Sequence, residues 1–278
     1  MNCPLCNSQD NINFLRFKDN TYKKCRNCSL VFLSPLKNLK YEVEYMAERG
    51  HDLVDSSVAA AKRRTALYYL KKISYLQRQK GSILDIGCST GIMLRAAKDM
   101  GYKIYGVDIN REATEKAKFY LKEDNIFCGD FASLDLGCSF SLTWMIDALE
   151  HFSSPTAILN KIYSSLAKDG LLFLITPDIK SLSFKILKGR WFHLFPEHIC
   201  FFSKPSLRYL LEKANFKIVE LAGARKYVSL EIIYRHLKIH RHIILANFFL
   251  KLIQYLPQRL RNFVFPVRMG EIYAVVRK

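Results

Sequence analysis

SILDIGCSTGIMLRAAKDMGYKIYGVD, residues 82–108, contains two strand-like runs separated by a turn and a helix-like run. The first apolar run predicts a buried strand that ends at a turn containing Gly87 and Gly91. A helical apolar pattern follows, and the second strand ends on Asp108. Glycine lets a backbone approach a ligand where a Cβ would clash, and an acid about 20 residues past the first glycine can bind both hydroxyls of a ribose. The stretch therefore predicts a nucleotide-binding βαβ unit.

The spacing of the glycines indicates which kind of nucleoside fits. Dinucleotide folds need G-x-G-x-x-G and triphosphate loops need G-K-[ST], whereas this turn reads Asp85-x-Gly87-x-x-x-Gly91. In these positions the chain resembles the class I S-adenosylmethionine-dependent methyltransferases, although Ser89 stands where many members carry glycine. The resemblance implies a loop around the methionine part of the cofactor and a ribose site at the end of the second strand. The cofactor residues predicted there are Asp85, Gly87, Cys88, Gly91, Asp108 and Ile109. A Rossmann-like turn without a ligand is the alternative.

Strands continue to alternate with helices beyond residue 108, and their apolar runs are nearly continuous. This pattern predicts a parallel sheet covered on both faces, with ligands bound at the carboxyl ends of its strands. Sheets of the resembling family end in a hairpin, which EIYAVVRK at 271–278 matches. The predicted fold class is α/β, with a Rossmann-like, mostly parallel seven-stranded sheet, helices on both faces and a small N-terminal zinc ribbon.

Two further acids, Asp130 and Asp147, fall at strand ends and are expected in the same crevice as Asp85 and Asp108. The resemblance implies that Asp130, with Phe131 beside it, contacts the adenine. It also implies that Asp147 lies near the methionyl end of the cofactor or the acceptor. Each could instead be an ordinary loop acid.

Four cysteines near the N-terminus form two C-x-x-C pairs, at Cys3, Cys6, Cys25 and Cys28. Four thiolates at this spacing can close a tetrahedral zinc site, and the aromatic segment between the pairs predicts a two-stranded ribbon. A segment this short lacks a core of its own, so metal binding would supply much of its folding energy. A redox pair is the alternative interpretation.

An aromatic and basic segment, residues 181–203, is predicted to face the acceptor. It contains Glu197 and His198, and similar pairs occur in small-molecule methyltransferases, including nucleotide-sugar C-methyltransferases that begin with a four-cysteine zinc module. That resemblance implies catalytic roles for His198 and Glu197, with Tyr41 or Tyr45 as further matches. His198 is the first candidate base because an imidazole titrates near neutral pH, and His151 is the second. A structural histidine is the alternative.

The predicted domains are a zinc-binding ribbon at 1–40, a helical linker on the substrate side at 41–80 and a methyltransferase domain at 81–278. A helical insertion at about 225–269 departs from the resembling family. Residues 240–256 could form a substrate lid, a dimer contact, a peripheral helix on anionic lipid or an extra helical layer. The sequence leaves these open, together with the oligomeric state.

The net charge of +18 indicates an anionic partner without choosing among nucleic acid, lipid and a phosphorylated acceptor. The sequence has eight cysteines, no secretory signal and no apolar run of about 18 residues. These features favour a cytoplasmic protein, which could also bind peripherally to the inner membrane surface.

The predicted function is S-adenosylmethionine-dependent methyl transfer to a small molecule, such as a sugar or lipid-linked intermediate of envelope or secondary metabolism. An RNA methyltransferase that binds RNA through its zinc module and basic surface is the alternative, although its usual catalytic motifs are missing. A non-catalytic binding protein is the third class.

Overall fold

The computed structural model describes residues 2–35, 57–77, 80–195, 197–239 and 250–278. Its strands are β1 Asn11–Phe17, β2 Asn20–Cys25, β3 Val31–Leu33, β4 Ser82–Ile86, β5 Lys103–Asp108, β6 Ile126–Cys128, β7 Phe140–Ile146, β8 Leu166–Pro177, β9 Cys200–Phe201, β10 Lys217–Gly223, β11 Lys226–Ser229, β12 Val264–Val267 and β13 Glu271–Arg277. Its helices are α1 Ser57–Ser74, α2 Ile92–Asp99, α3 Arg111–Leu121, α4 Pro155–Ser165, α5 Leu182–Leu187, α6 Lys204–Lys213, α7 Leu230–Ile239 and α8 Gln258–Arg261. Residues 250–254 are also helical.

Seven strands form the central sheet in the order β10-β13-β8-β7-β4-β5-β6. The five strands from β4 to β8 pair in parallel, whereas β13 pairs antiparallel with both β8 and β10. The predicted α/β fold with a mostly parallel seven-stranded sheet is therefore confirmed. Because the parallel strands share one direction, their carboxyl ends and the loops that follow them meet at one edge.

Two apolar layers cover the sheet. On one face, α1 buries Tyr69, Leu70 and Ile73, and the Tyr69 ring lies 4.6 Å from that of Phe173 on β8. On the other face, a larger cluster continues into the N-terminal module through buried aromatic side chains, which include Tyr22, Phe32, Trp191 and Phe201. The module therefore shares a core with the sheet domain.

The N-terminal strands form a four-stranded antiparallel sheet in the order β1-β2-β3-β9. The sequence predicted a two-stranded ribbon, which corresponds to β1 and β2. The structure adds β3 and, from the aromatic segment far along the chain, β9. The sequence did not predict this strand, because it has only two residues and its partner lies far away along the chain.

The insertion opens with β11 and α7 and returns through α8 and β12, and β11 pairs antiparallel with β12. On residues 250–254, the buried side chains are Leu250 and Ile253, whereas Leu252 is 54% exposed. Several predictions lie outside the described residues: Tyr41, Tyr45, the first part of the 41–80 linker, and residues 240–249 of the 240–256 segment. Among the helices that the structure describes, none is both long and apolar enough to cross a membrane.

Candidate functional site

A cavity of about 920 Å³ opens at the carboxyl edge of the parallel strands. Among the described residues, its wall contains eleven of the twelve that the sequence singled out for cofactor or acceptor chemistry: Asp85, Gly87, Cys88, Asp108, Ile109, Asp130, Phe131, Asp147, His151, Glu197 and His198. Gly91 is the twelfth and is absent from the described lining. The volume is in the upper part of the range typical of small-molecule sites.

The turn after β4 depends on left-handed backbone conformations. Gly87 and Gly91 have φ of +83° and +78°, and Ser89 between them has φ of +48°. A Cβ on Gly91 would come within 2.6 Å of Leu121 on α3, so this glycine lets the turn pack against that helix. The left-handed conformation at Ser89 explains why glycine suits that position in related loops.

Asp108 ties this turn to the end of β5. Its carboxylate accepts hydrogen bonds from the backbone amides of Ser89, at 2.8 Å, and Asn110, at 2.9 Å. Burial raises the pKa of Asp108, whereas the two amides lower it. Each carboxylate oxygen retains acceptor capacity, which two neighbouring hydroxyls of a ribose could use.

Asp85 lies at the base of the cavity and is 4% exposed. Burial and, to a smaller extent, the nearby carboxylate of Asp108 raise its pKa to about 7, against the opposing effect of Lys62 on α1. Lys62 also lines the cavity. Helix α1 thus contributes a cation to the wall of the site.

The end of the cavity beyond β6 has the features of a site for a flat ring. Phe131 is 3% exposed, and the ammonium of Lys161 lies 5.1 Å from its ring centroid. Asp130 accepts a hydrogen bond from the amide of Ala132 through one oxygen, at 2.9 Å. Ile109 is 49% exposed and lines the same region.

Asp147 takes part in a charged cluster that the sequence did not indicate. Lys226, the first residue of β11, places its ammonium 2.5 Å from Asp147 and 3.3 Å from Glu271. His193 Nε2 lies 3.4 Å from Oε1 of Glu271, the same carboxylate oxygen that Lys226 approaches. Burial lowers the pKa of Lys226, but the neighbouring carboxylates raise it more, and the pKa of Glu271 falls to about 2. No local motif marks this cluster, because its members come from four distant segments.

A second cluster joins Glu150, His151 and His198, whose ligand-type atoms all lie within 4.8 Å of one another. The two imidazole rings are 4.7 Å apart and nearly perpendicular. The sequence predicted Glu197 as the acid beside His198, but the acid of this cluster is Glu150. The Glu197 carbonyl instead lies 3.1 Å from His151 Nδ1.

Glu150 is fully buried, and its two carboxylate oxygens differ. Thr176 donates to Oε2 at 2.9 Å, whereas Oε1 is buried without a hydrogen-bond partner among the described residues. Burial, with a smaller effect from the carboxylate of Asp147, raises the pKa of Glu150 to about 8. A buried carboxyl beside two imidazoles can accept or relay a proton near neutral pH, and the same three groups could ligate a cation.

Apolar side chains form the outer wall of the cavity. Helix α7 of the insertion supplies Ile232, Ile233 and Leu237, and the aromatic segment opposite supplies Leu187 and Phe192. The cavity therefore combines a polar end with an apolar wall. Part of that wall comes from the insertion that the sequence could not assign.

The four N-terminal cysteines lie together, and three of them, Cys3, Cys25 and Cys28, are buried. Sγ distances are 3.5 Å for Cys3–Cys28 and 3.5 Å for Cys6–Cys25, and all four sulfurs lie within 4.8 Å of one another. Tetrahedral zinc with bonds of about 2.3 Å separates its sulfurs by roughly 3.8 Å, so this set fits the ion. A hydrogen bond with Cys28, helped by the backbone amides of Cys6 and Leu5, lowers the pKa of Cys3 to about 5 against the opposing effect of burial. Such amide donors favour thiolates, the form that binds metal.

Comparisons with known proteins agree with this arrangement. A family model described as "Methyltransferase domain" matches residues 59–221. A ubiquinone biosynthesis O-methyltransferase from Actinobacillus pleuropneumoniae is 26% identical over 120 residues, which are 38% of this chain and 51% of that protein. The chain thus spans about half the length of that curated relative.

Solved structures show the same fold. A methyltransferase from Archaeoglobus fulgidus has a TM-score of 0.54 at 17% identity, covering 86% of this chain and 100% of that one. One from Clostridium acetobutylicum has a TM-score of 0.53 at 11% identity, covering 85% and 96%. Since the family model matches more than half of the sequence, this chain belongs to the methyltransferase-domain family and has the fold of class I S-adenosylmethionine-dependent methyltransferases.

Proposed function

We propose that the protein transfers a methyl group from S-adenosylmethionine to a small-molecule acceptor of sugar or lipid-linked character. The observation that carries this proposal is the shared cavity. The turn held by Asp108 and the cluster of Glu150, His151 and His198 line one space, so a cofactor and an acceptor can meet there.

The proposed cofactor side uses residues whose geometry suits each part of an adenosyl group. The oxygens of Asp108 receive the ribose hydroxyls, Phe131 and Ile109 flank the adenine, and Asp130 accepts from its amino group. Asp85, Gly87, Cys88 and Asp147 border the methionine part, and Gly91 acts by packing the turn. When bound, the cofactor supplies a reactive methyl sulfonium, so the protein mainly aligns the acceptor and accepts its proton.

We assign the proton-accepting role to His198, with Glu150 rather than Glu197 as the nearby acid. His198 is 6% exposed and lines the cavity, so its imidazole is shielded from bulk water while it faces the acceptor space. His151 adjoins it and is the second candidate. The apolar wall of Ile232, Ile233 and Leu237 suits an acceptor with an apolar body. The printed name of the A. pleuropneumoniae relative, an O-methyltransferase, favours a hydroxyl acceptor.

We also propose that Cys3, Cys6, Cys25 and Cys28 bind one zinc ion. Elemental analysis of the purified protein should give one zinc per chain. The double variant Cys25→Ser/Cys28→Ser should lose it, because two thiolates do not close a tetrahedral site. A Cys128→Ser/Cys138→Ser variant is the matched control, since both of those thiols are exposed and lie outside the cluster. Full zinc in the first variant would contradict the assignment.

The function is tested with S-adenosylmethionine labelled in its methyl group. The protein is incubated with three separate acceptors: a bacterial lipid extract, a nucleotide-sugar fraction and total RNA. We expect label in the lipid or sugar fraction, and its loss in an Asp108→Asn variant that still folds. Label in RNA alone, with binding that weakens steeply with salt, would instead support the RNA methyltransferase alternative. No label in any of the three would count against methyl transfer to these classes.

A further inference from the structure

A buried tyrosine joins the backbone of His198 to the N-terminal module, which consists of strands β1–β3 and the four cysteines and is called the cysteine module below. Tyr22, on β2, has no exposed surface, and its hydroxyl donates to the carbonyl oxygen of His198 at 3.0 Å. The carbonyl of Phe195 lies 3.5 Å from the same hydroxyl. The Tyr22 ring also packs against Phe201, with centroids 5.4 Å apart. Burying the phenol hydroxyl without a hydrogen bond would cost free energy, so this contact favours one position of the backbone at residue 198.

The next peptide, at Ile199, connects the module to the polar cluster of the cavity. Its amide donates to the carbonyl of Glu150 at 2.8 Å, and its carbonyl accepts from the amide of Leu33 at 2.8 Å. Leu33 is the last residue of β3, and β3 continues into the ladder with β9 at Cys200 and Phe201. The residues around His198 are thus held on one side by the Glu150 turn and on the other by the module.

Two of the cysteines, Cys25 and Cys28, lie where the chain turns between the two strands that make these contacts. Strand β2, which carries Tyr22, ends on Cys25, and Cys28 lies three residues before β3 begins. The Cys25 amide donates to the Leu30 carbonyl across this turn at 2.9 Å. A metal on the four sulfurs would fix the turn between β2 and β3. The position of Tyr22 relative to Leu33 depends on that turn.

We propose that the cysteine module supports the acceptor side of the active site and that Tyr22 is its positioning residue. The reason is that Tyr22 and β3 together fix the position of the His198 backbone. This inference rests on the proposed function for the role of His198, but the backbone contacts stand apart from it. A module that only covers apolar surface would need the Tyr22 ring and not its hydroxyl. The hydroxyl therefore distinguishes the two accounts.

The first test removes only that hydroxyl. The Tyr22→Phe variant of the full chain is compared with Tyr102→Phe, which removes a second buried hydroxyl, bonded to Gln77 at 2.7 Å and outside the cavity lining. The readout is the imidazole cross-peaks of His198 in a ¹H–¹³C spectrum, assigned with a His198→Gln variant. We expect the peaks to shift or broaden in Tyr22→Phe and to stay in place in Tyr102→Phe. Unchanged peaks in Tyr22→Phe would overturn the proposal.

The second test uses amide hydrogen exchange to ask whether metal bound at the four cysteines stabilises the backbone next to His198. In the zinc-loaded protein, Tyr22→Phe should raise the exchange rate of the Ile199 amide about fivefold, the effect of one lost hydrogen bond on local opening. Removing zinc with a chelator should raise it at least as much while S-adenosylhomocysteine still binds. Equal protection of Ile199 before and after zinc removal would overturn the coupling to the metal.

Turnover separates this inference from the proposed function. If His198→Ala lowers turnover and Tyr22→Phe lowers kcat with little change in KM, both stand. If His198→Ala lowers turnover but Tyr22→Phe does not, the positioning role is wrong. If His198→Ala leaves turnover intact, the catalytic role of His198 is wrong and Tyr22 has no reacting group to position, even where the spectra show that it holds the backbone.

Discussion

Replacing Asp108 with asparagine tests the ribose site with little change in shape. The carboxylate accepts from the Ser89 and Asn110 amides and is 7% exposed, so its bonds form in a largely dry environment. Asparagine keeps one oxygen and no charge, so bonds to the two ribose hydroxyls change from charged to neutral or are lost, and one of the two backbone amides loses its acceptor. Bonds to a charged group contribute about 1.5–3 kcal/mol, against about 0.5–1.5 kcal/mol for neutral ones. We expect a total loss of about 1.5–3 kcal/mol, or roughly a 10- to 150-fold rise in Kd.

The assay is calorimetric titration of Asp108→Asn with S-adenosylhomocysteine. Asp178→Asn is the matched control, because Asp178 also accepts a backbone amide, that of Lys180 at 2.8 Å, but does not line the cavity. The control should bind with the wild-type Kd. A wild-type Kd for a folded Asp108→Asn variant would refute the ribose assignment.

Three further perturbations follow from the site. Lys226→Met leaves Glu271, whose side chain is 4% exposed, without its cation, and should lower the unfolding free energy by about 3 kcal/mol in denaturant titration. Lys72→Met, at a more exposed pair, should cost less than about 1 kcal/mol, and equal losses would contradict the burial argument. Burial raises the pKa of Glu150 to about 8 from an ordinary 4.5, so the folded state holds a proton that the unfolded state releases. Stability from this group is complete below about pH 4.5 and is lost as the pH rises to 8. Glu150→Gln should therefore flatten the fall in Tm between pH 5 and 8, and an unchanged slope would count against it. His198→Ala should lower turnover about 10²- to 10⁴-fold without changing S-adenosylhomocysteine affinity, whereas a lower Tm with intact turnover would make His198 structural.

The sheet and the cofactor turn could be predicted because their signals are local. The strand ending at Ile86, the turn through Gly91 and the strand ending on Asp108 are encoded within 27 consecutive residues, and the structure has them at those positions. Parallel strands then bring their carboxyl ends to one edge whatever the length of the connections. That is why acids as distant as Asp85 and Asp147 could be expected in one cavity.

The proposed acceptor side was harder to predict from the sequence, because its contacts join distant segments of the chain. Glu150 stands beside His151 in the sequence, but its proximity to His198 depends on the Ile199–Glu150 hydrogen bond. Lys226 and Glu271 are 45 residues apart and meet only because the insertion between them leaves and returns at the same edge. The pairing of β3 with β9 spans an even longer separation, and no periodicity in either strand encodes its partner.

A crystal structure of the protein with S-adenosylhomocysteine tests the central claim, that this cavity binds the cofactor beside an acceptor site. We predict a ligand along the 87–91 turn, with both ribose hydroxyls on the Asp108 carboxylate, the adenine against Phe131 and the sulfur facing the space bordered by Glu150 and His198. A ligand bound outside the cavity, or one whose sulfur faces away from His198, would contradict the account.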